Sequence, residues 1–68
     1  MRDYKPYIGR EVSVMTIDGT FQGVLQGVGR HSLTIKPEAM YDPDGRPAPT
    51  PKGVIVVEQF AISFVQVR

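Results

Sequence analysis

Apolar and polar residues alternate in short runs along this chain, a pattern that is typical of β-strands. The runs over residues 11–17 and 20–28 predict two antiparallel strands. Asp18-Gly19 lies between them, and this pair predicts a tight hairpin turn in which both central residues take positive φ. Three further runs predict three more strands, at residues 32–36, 54–57 and 62–67.

The second predicted strand contains regularly placed glycines. Phe21, Gly23, Leu25 and Gly27 share one face of that strand, because side chains alternate with a period of two. Glycine on an inward face allows a strand to bend sharply, since no side chain blocks the opposing wall. The pattern therefore predicts an all-β fold of five strands, arranged as a strongly bent, partly open small barrel. Residues 2–8 are expected to form a short N-terminal arm or a helical turn.

A proline-rich segment separates the third predicted strand from the fourth. Pro37 is expected to end the third strand, and residues 38–53 are expected to form a loop without regular structure. This segment contains Pro43, Pro47, Pro49 and Pro51, each of which lacks a backbone N–H donor. Long loops in small domains are more often functional or mobile than neutral. The whole chain, residues 1–68, is predicted to be a single domain.

Composition limits the chemistry that the chain can perform. The 68 residues include no cysteine and one histidine, and the net charge is +1. These numbers argue against a disulfide framework, a zinc site and binding to nucleic acid by charge alone. No catalytic motif is evident, so we expect a protein that is not an enzyme and that needs no cofactor or metal. The absence of a signal peptide pattern or an apolar span predicts a cytoplasmic location.

The order and spacing of these residues resemble the Sm-like family, whose members form rings that bind RNA. Gly9, Val12 and Val14 match the beginning of the family's first motif, and Phe21, Gly23 and Leu25 match its middle. Leu33 and Ile35 match its end. Residues 56–65 align with the second motif. The resemblance covers most of the chain apart from the proline-rich segment and the first seven residues. It implies a homo-oligomeric ring of six or seven subunits.

The resemblance also implies where RNA would bind. The turn that carries Arg30, His31 and Ser32 would lie near the pore, where arginine can contact phosphate and histidine can stack on a base. Gln59 would face the same pore and hydrogen-bond a base. The family's pocket-forming Asp and Asn are replaced here by Gly29 and Ser32, and its Arg-Gly pair is replaced by Glu58-Gln59.

Two functions remain open from the sequence. The first is a ring that binds short single-stranded RNA at its pore. The alternative is a structural or adaptor ring that has lost the nucleotide pocket and binds a protein partner through its proline-rich loop. Arg30 and His31 favour RNA, whereas Glu58 disfavours phosphate unless it pairs with Arg30 of a neighbouring subunit. Self-association is expected on physical grounds too, because the last two predicted strands are apolar and would otherwise leave exposed edges.

Overall fold

The computed structural model describes residues 3–68. In these residues, six strands and two 3-10 helices make up the regular structure. The strands are β1 (Glu11–Thr16), β2 (Gly19–Val28), β3 (Ser32–Tyr41), β4 (Pro47–Ala48), β5 (Ile55–Glu58) and β6 (Ile62–Val67). The 3-10 helices span Lys5–Tyr7 and Gln59–Ala61. The first of these confirms the expected helical turn near the N-terminus, and the second occupies the tight corner that precedes β6.

All six strands belong to one antiparallel sheet. The main path runs β4-β3-β2-β1-β6, and β5 also pairs with β3. The edge of β3 that faces away from β2 is thus shared by two strands. Residues 32–35 pair with β5, and residues 40–41 pair with β4. The all-β prediction is confirmed, with one more strand than the five expected.

The sheet has no second layer, yet it buries a continuous core. Side chains from four strands form this core: Val12, Val14, Leu25, Leu33, Ile35 and Val57. A single sheet can exclude water from such residues only if it curves around them. The sheet does not close into a barrel, because β5 and β6 do not pair with each other within residues 3–68.

Three bulges interrupt the regular alternation of inward and outward side chains. The extra residues are Gln26 on β2, Glu38 on β3 and Ser63 on β6. Because of the Gln26 bulge, Val28 rather than Gly27 follows Leu25 toward the core. The predicted inward row on the second strand is therefore wrong at its last position.

The prediction that Pro37 ends the third strand is also wrong, since β3 continues to Tyr41. Along β3, Ile35 is the last residue that pairs with β5, and Met40 is the first that pairs with β4. Between them the outer edge of β3 has no neighbouring strand in the described part of the chain. Main-chain groups two residues apart point the same way, so the nitrogen of Pro37 faces this gap. A proline costs no ladder hydrogen bond there.

The segment 38–53 is correspondingly more regular than expected. It contains the end of β3, a turn and the short strand β4. One carboxylate oxygen of Asp42 accepts hydrogen bonds of 2.9 Å from the backbone N–H groups of both Asp44 and Arg46. The backbone N–H of Asp42 donates to the carbonyl oxygen of Arg46 at 2.8 Å, and Gly45 takes a positive φ. These contacts order the turn without help from the core.

Asp42→Ala should loosen this hairpin, because two backbone donors lose their acceptor. We expect the free energy of unfolding to fall by about 1 kcal/mol, with faster amide exchange at residues 44 and 46. Asp42→Asn keeps a side-chain oxygen and is the matched control. Urea denaturation and hydrogen exchange would measure both variants, and equal loss in the two would contradict the assigned role.

The hairpin between β1 and β2 is present, but its turn differs from the prediction. Ile17 and Asp18 are the two central residues, and among the described residues only glycines have positive φ. Gly19 has a φ of 132° and is the first residue of β2. Thr16 Oγ1 accepts from the backbone N–H of Asp18 at 3.1 Å and completes the turn.

Candidate nucleic-acid interface

The turn between β2 and β3 presents two polar side chains to solvent. Gly29, Arg30 and His31 form this connection, and the backbone N–H of Gly29 donates to the Ser32 carbonyl oxygen at 2.8 Å. Arg30 and His31 are exposed, while Ser32 is half-buried. A Cβ at Gly29 would lie 2.7 Å from Ser32 Oγ. The serine hydroxyl therefore packs against the turn backbone.

The corner between β5 and β6 lies directly beside this turn. Glu58 pairs with Ser32 in the register of β5 on β3. The next residue, Gln59, donates its backbone N–H to the His31 carbonyl oxygen at 2.8 Å. The two segments that the sequence analysis selected, far apart along the chain, are thus joined by a backbone hydrogen bond within one subunit.

An open cleft of about 380 Å³ forms where these segments meet. We call it the His31–Gln59 cleft. Its walls combine hydrogen-bonding groups with three aromatic rings, and its lining residues are Tyr4, His31, Gln59, Phe60, Ile62, Ser63 and Phe64. Such a lining can hold a flat aromatic ligand by stacking while polar groups contact its edge.

The structure gathers two of the four predicted site residues in this cleft. His31 and Gln59 line it, whereas Arg30 and Ser32 do not. Arg30 precedes His31 on the same turn, and its side chain is exposed. Glu58 is exposed on the other neighbouring segment and contributes negative charge near the cleft.

Sequence reasoning missed two aromatic members of the cleft. Phe60 is 87% exposed on the corner, and Phe64 is 53% exposed on β6. The predicted site residues include neither of them, and Phe64 falls within the predicted strand at residues 62–67. The bulge at Ser63 turns Ile62 toward the core and leaves Phe64 outward beside Met15. Only a large apolar residue at a predicted corner, such as Phe60, could have signalled this surface from the sequence.

A second, more apolar cleft of about 480 Å³ adjoins β5. It lies between β5, the β1–β2 turn and the 3-10 corner. Its most exposed apolar members are Ile17, Val56 and Phe60. These exposed apolar side chains lie beside the outer edge of β5, which has no neighbouring strand within residues 3–68.

The described part of the chain, residues 3–68, contains no group of three or more histidine, cysteine, aspartate or glutamate residues that could hold a metal ion. It likewise contains no helix with the length and hydropathy needed to cross a membrane.

Comparisons with known proteins give no match from which a function could be transferred to this chain. The chain matches no protein-family model, no curated protein and no solved structure.

Proposed function

We propose that this protein is a Sm-like ring protein that binds short single-stranded RNA through the His31–Gln59 cleft. The observation that carries the proposal is the meeting of His31, Gln59 and three aromatic rings in one open cleft. Single-stranded RNA is recognised mainly by stacking of unpaired bases on aromatic side chains and by hydrogen bonds to base edges. The cleft offers both kinds of group.

Within this proposal each residue has a distinct role. Tyr4, Phe60 and Phe64 supply stacking surfaces, and the Gln59 amide contacts the edge of a base. His31 stacks or hydrogen-bonds at the mouth of the cleft. Arg30 contacts a phosphate from the neighbouring position on the turn. Ser32 supports the turn through its contact with Gly29 rather than touching RNA directly.

The proposed ring uses two of the outer edges of the sheet, those of β5 and β6. Neither the outer edge of β5 nor that of β6 is paired within the described residues. Joining β5 of one subunit to β6 of the next would satisfy both edges and cover Val56 and Phe64, which are more than half exposed. In this proposal the curved sheet is a partly open Sm-like barrel, and six or seven copies, as the resemblance implies, place the clefts around one pore. The cysteine-free composition suits a cytoplasmic location.

Oligouridine binding, measured by fluorescence anisotropy at two salt concentrations, tests the RNA proposal. Phe60→Ala should weaken binding about tenfold, because one stacked base contributes about 1–3 kcal/mol. Arg30→Ala should weaken binding less and reduce the magnitude of the salt slope by about 1. His31→Ala combined with Gln59→Ala should weaken binding without changing that slope.

Gln66→Ala is the matched control, since Gln66 is exposed on β6 but does not line the cleft. It should leave affinity unchanged. If wild-type protein binds no oligouridine at low salt, the RNA proposal is wrong. If binding occurs and Phe60→Ala has no effect, RNA binds at another surface.

The second candidate is an adaptor ring that binds a protein partner through its proline-rich segment. Two observations favour it: residues 49–53 are exposed and outside regular structure, and Glu58 places negative charge beside the cleft. A ring that forms without any affinity for oligouridine would favour this candidate over the first. In that case, deletion of residues 49–52 should abolish partner binding while the ring persists.

A further inference from the structure

The sheet has three outer edges, and one of them lacks backbone donors. β4 pairs with β3 through Met40–Ala48 and Tyr41–Pro47. The Asp42 N–H donates to the Arg46 carbonyl oxygen, so positions 42 and 46 form a hydrogen-bonded pair. Hydrogen-bonded and non-bonded pairs alternate in an antiparallel ladder. Ala48 therefore directs its main-chain groups to β3, and Pro47 directs its own to the outer edge.

The prolines of this segment follow the same alternation. Pro47, Pro49 and Pro51 are separated by one residue each, and all three are exposed. Main-chain groups two residues apart in an extended strand point to the same side. Pro49 follows directly after β4, which ends at Ala48. A strand added along β4 and its extension would therefore meet no N–H group at position 47 or at position 49.

The other two edges are built differently. The Gln59–His31 hydrogen bond sets the alternation on β5, so Val56 and Glu58 direct their main-chain groups outward. The Arg68 N–H donates to the Glu11 carbonyl oxygen at 2.9 Å, which likewise places Val65 and Val67 outward on β6. No proline occupies any of these positions. Both edges keep the donors and acceptors that an added strand requires.

We propose that the alternating prolines close the β4 edge to strand addition and restrict self-association to β5 and β6. An incoming strand at β4 would bring N–H groups to the carbonyls, but its own carbonyls would find no donors. The pyrrolidine rings also occupy space at the edge. This device refines the proposed ring, because it stops the hairpin of one subunit from capturing a strand of another. It applies equally to a monomer, where it would prevent edge-to-edge aggregation.

Restoring the donors tests the proposal. Pro47→Thr combined with Pro49→Thr should open the edge, and size-exclusion chromatography with light scattering should show an apparent mass about twofold or more above that of the wild type. Amides introduced at positions 47 and 49 should be protected from hydrogen exchange in the larger species. Unchanged mass in a folded double variant would overturn the proposal.

Two controls separate the edge from other effects. Ala48→Thr raises β propensity in the same strand, but its N–H faces β3, so the mass should not change. In synthetic chains, alanine at positions 47 and 49 should reproduce the larger species, whereas N-methylalanine should not, because it restores no donor. Equal association with both would overturn the proposal. The mass of the wild-type protein tests the proposed ring, whereas the change in mass on substitution tests the closed β4 edge. The two proposals can therefore fail independently.

Discussion

Gly23→Ala is expected to unfold this protein or bring it close to unfolding. A Cβ at position 23 would collide with the carbonyl oxygen of Lys36 and lie 2.9 Å from the Cα of Pro37. Both obstacles are backbone atoms of β3, so no side-chain rotation relieves them. The carbonyl of Lys36 points toward β2 because Pro37, the next residue, points to the opposite edge. The register of β2 on β3 therefore holds the main chain of β3 too close to Gly23 for any side chain to fit.

The expected loss is about 3 kcal/mol, at the upper end of what overpacking costs. A domain of this size loses roughly 4–8 °C in melting temperature for each 1 kcal/mol. The midpoint should thus fall by roughly 10–25 °C, measured by circular dichroism at matched protein concentration. Matching matters because self-association raises apparent stability.

Gly27→Ala, on the same strand, is the control. A Cβ at Gly27 would lie 3.7 Å from the Thr34 Cβ, an ordinary contact, and Gly27 does not take a positive φ. Alanine there should be neutral or slightly stabilising, since it reduces the freedom of the unfolded chain. Similar melting temperatures for the two variants would contradict the assignment of Gly23 as the point of close approach.

The contrast between these glycines shows what the sequence could and could not predict. Alternation placed Gly23 and Gly27 on one inward face, and the conclusion that glycine permits close approach holds for Gly23. It does not hold for Gly27, because the bulge at Gln26 shifts the alternation by one residue. A bulge adds one residue to one strand only, so a single strand's pattern does not reveal it.

Proline was misleading for a related reason. Pro37 breaks a strand only if its nitrogen faces a neighbouring strand, and here it faces a gap between β5 and β4. That gap depends on pairing between distant segments, which local propensity does not contain. The placement of the site residues also depends on contacts between distant segments. His31 and Ser32 are adjacent and were predicted together, but only His31 lines the cleft, whereas the Ser32 hydroxyl lies against Gly29.

The resemblance implied that the Arg30–His31 turn and the Glu58–Gln59 corner lie near one another, and a backbone hydrogen bond of 2.8 Å joins His31 and Gln59. The role of these segments in binding RNA stays a prediction. Strand boundaries at residues 62–67 were also predicted correctly. The strand boundary rests on a strong local signal, a short apolar run that follows a polar corner. The aromatic lining required the three-dimensional arrangement.

Removing one backbone donor from the open β5 edge is expected to abolish the proposed ring. Val56 is 61% exposed, and its main-chain N–H points away from β3. A synthetic chain with N-methylvaline at position 56 would lose that donor and place a methyl group where the neighbour's strand must approach. The intramolecular pairing of β5 with β3 would keep its hydrogen bonds, because those involve the alternate residues. The same defect would occur at every interface of the proposed ring.

Light scattering should therefore report a single chain for the derivative and the proposed ring for the wild type, while circular dichroism shows a folded β protein in both. N-methylthreonine at position 50 is the control, since Thr50 is exposed and lies outside the strands. It should assemble as the wild type does. Assembly by the Val56 derivative would show that subunits do not join by adding a strand to β5. The exposed apolar residues along β5 would then have no part in joining the subunits.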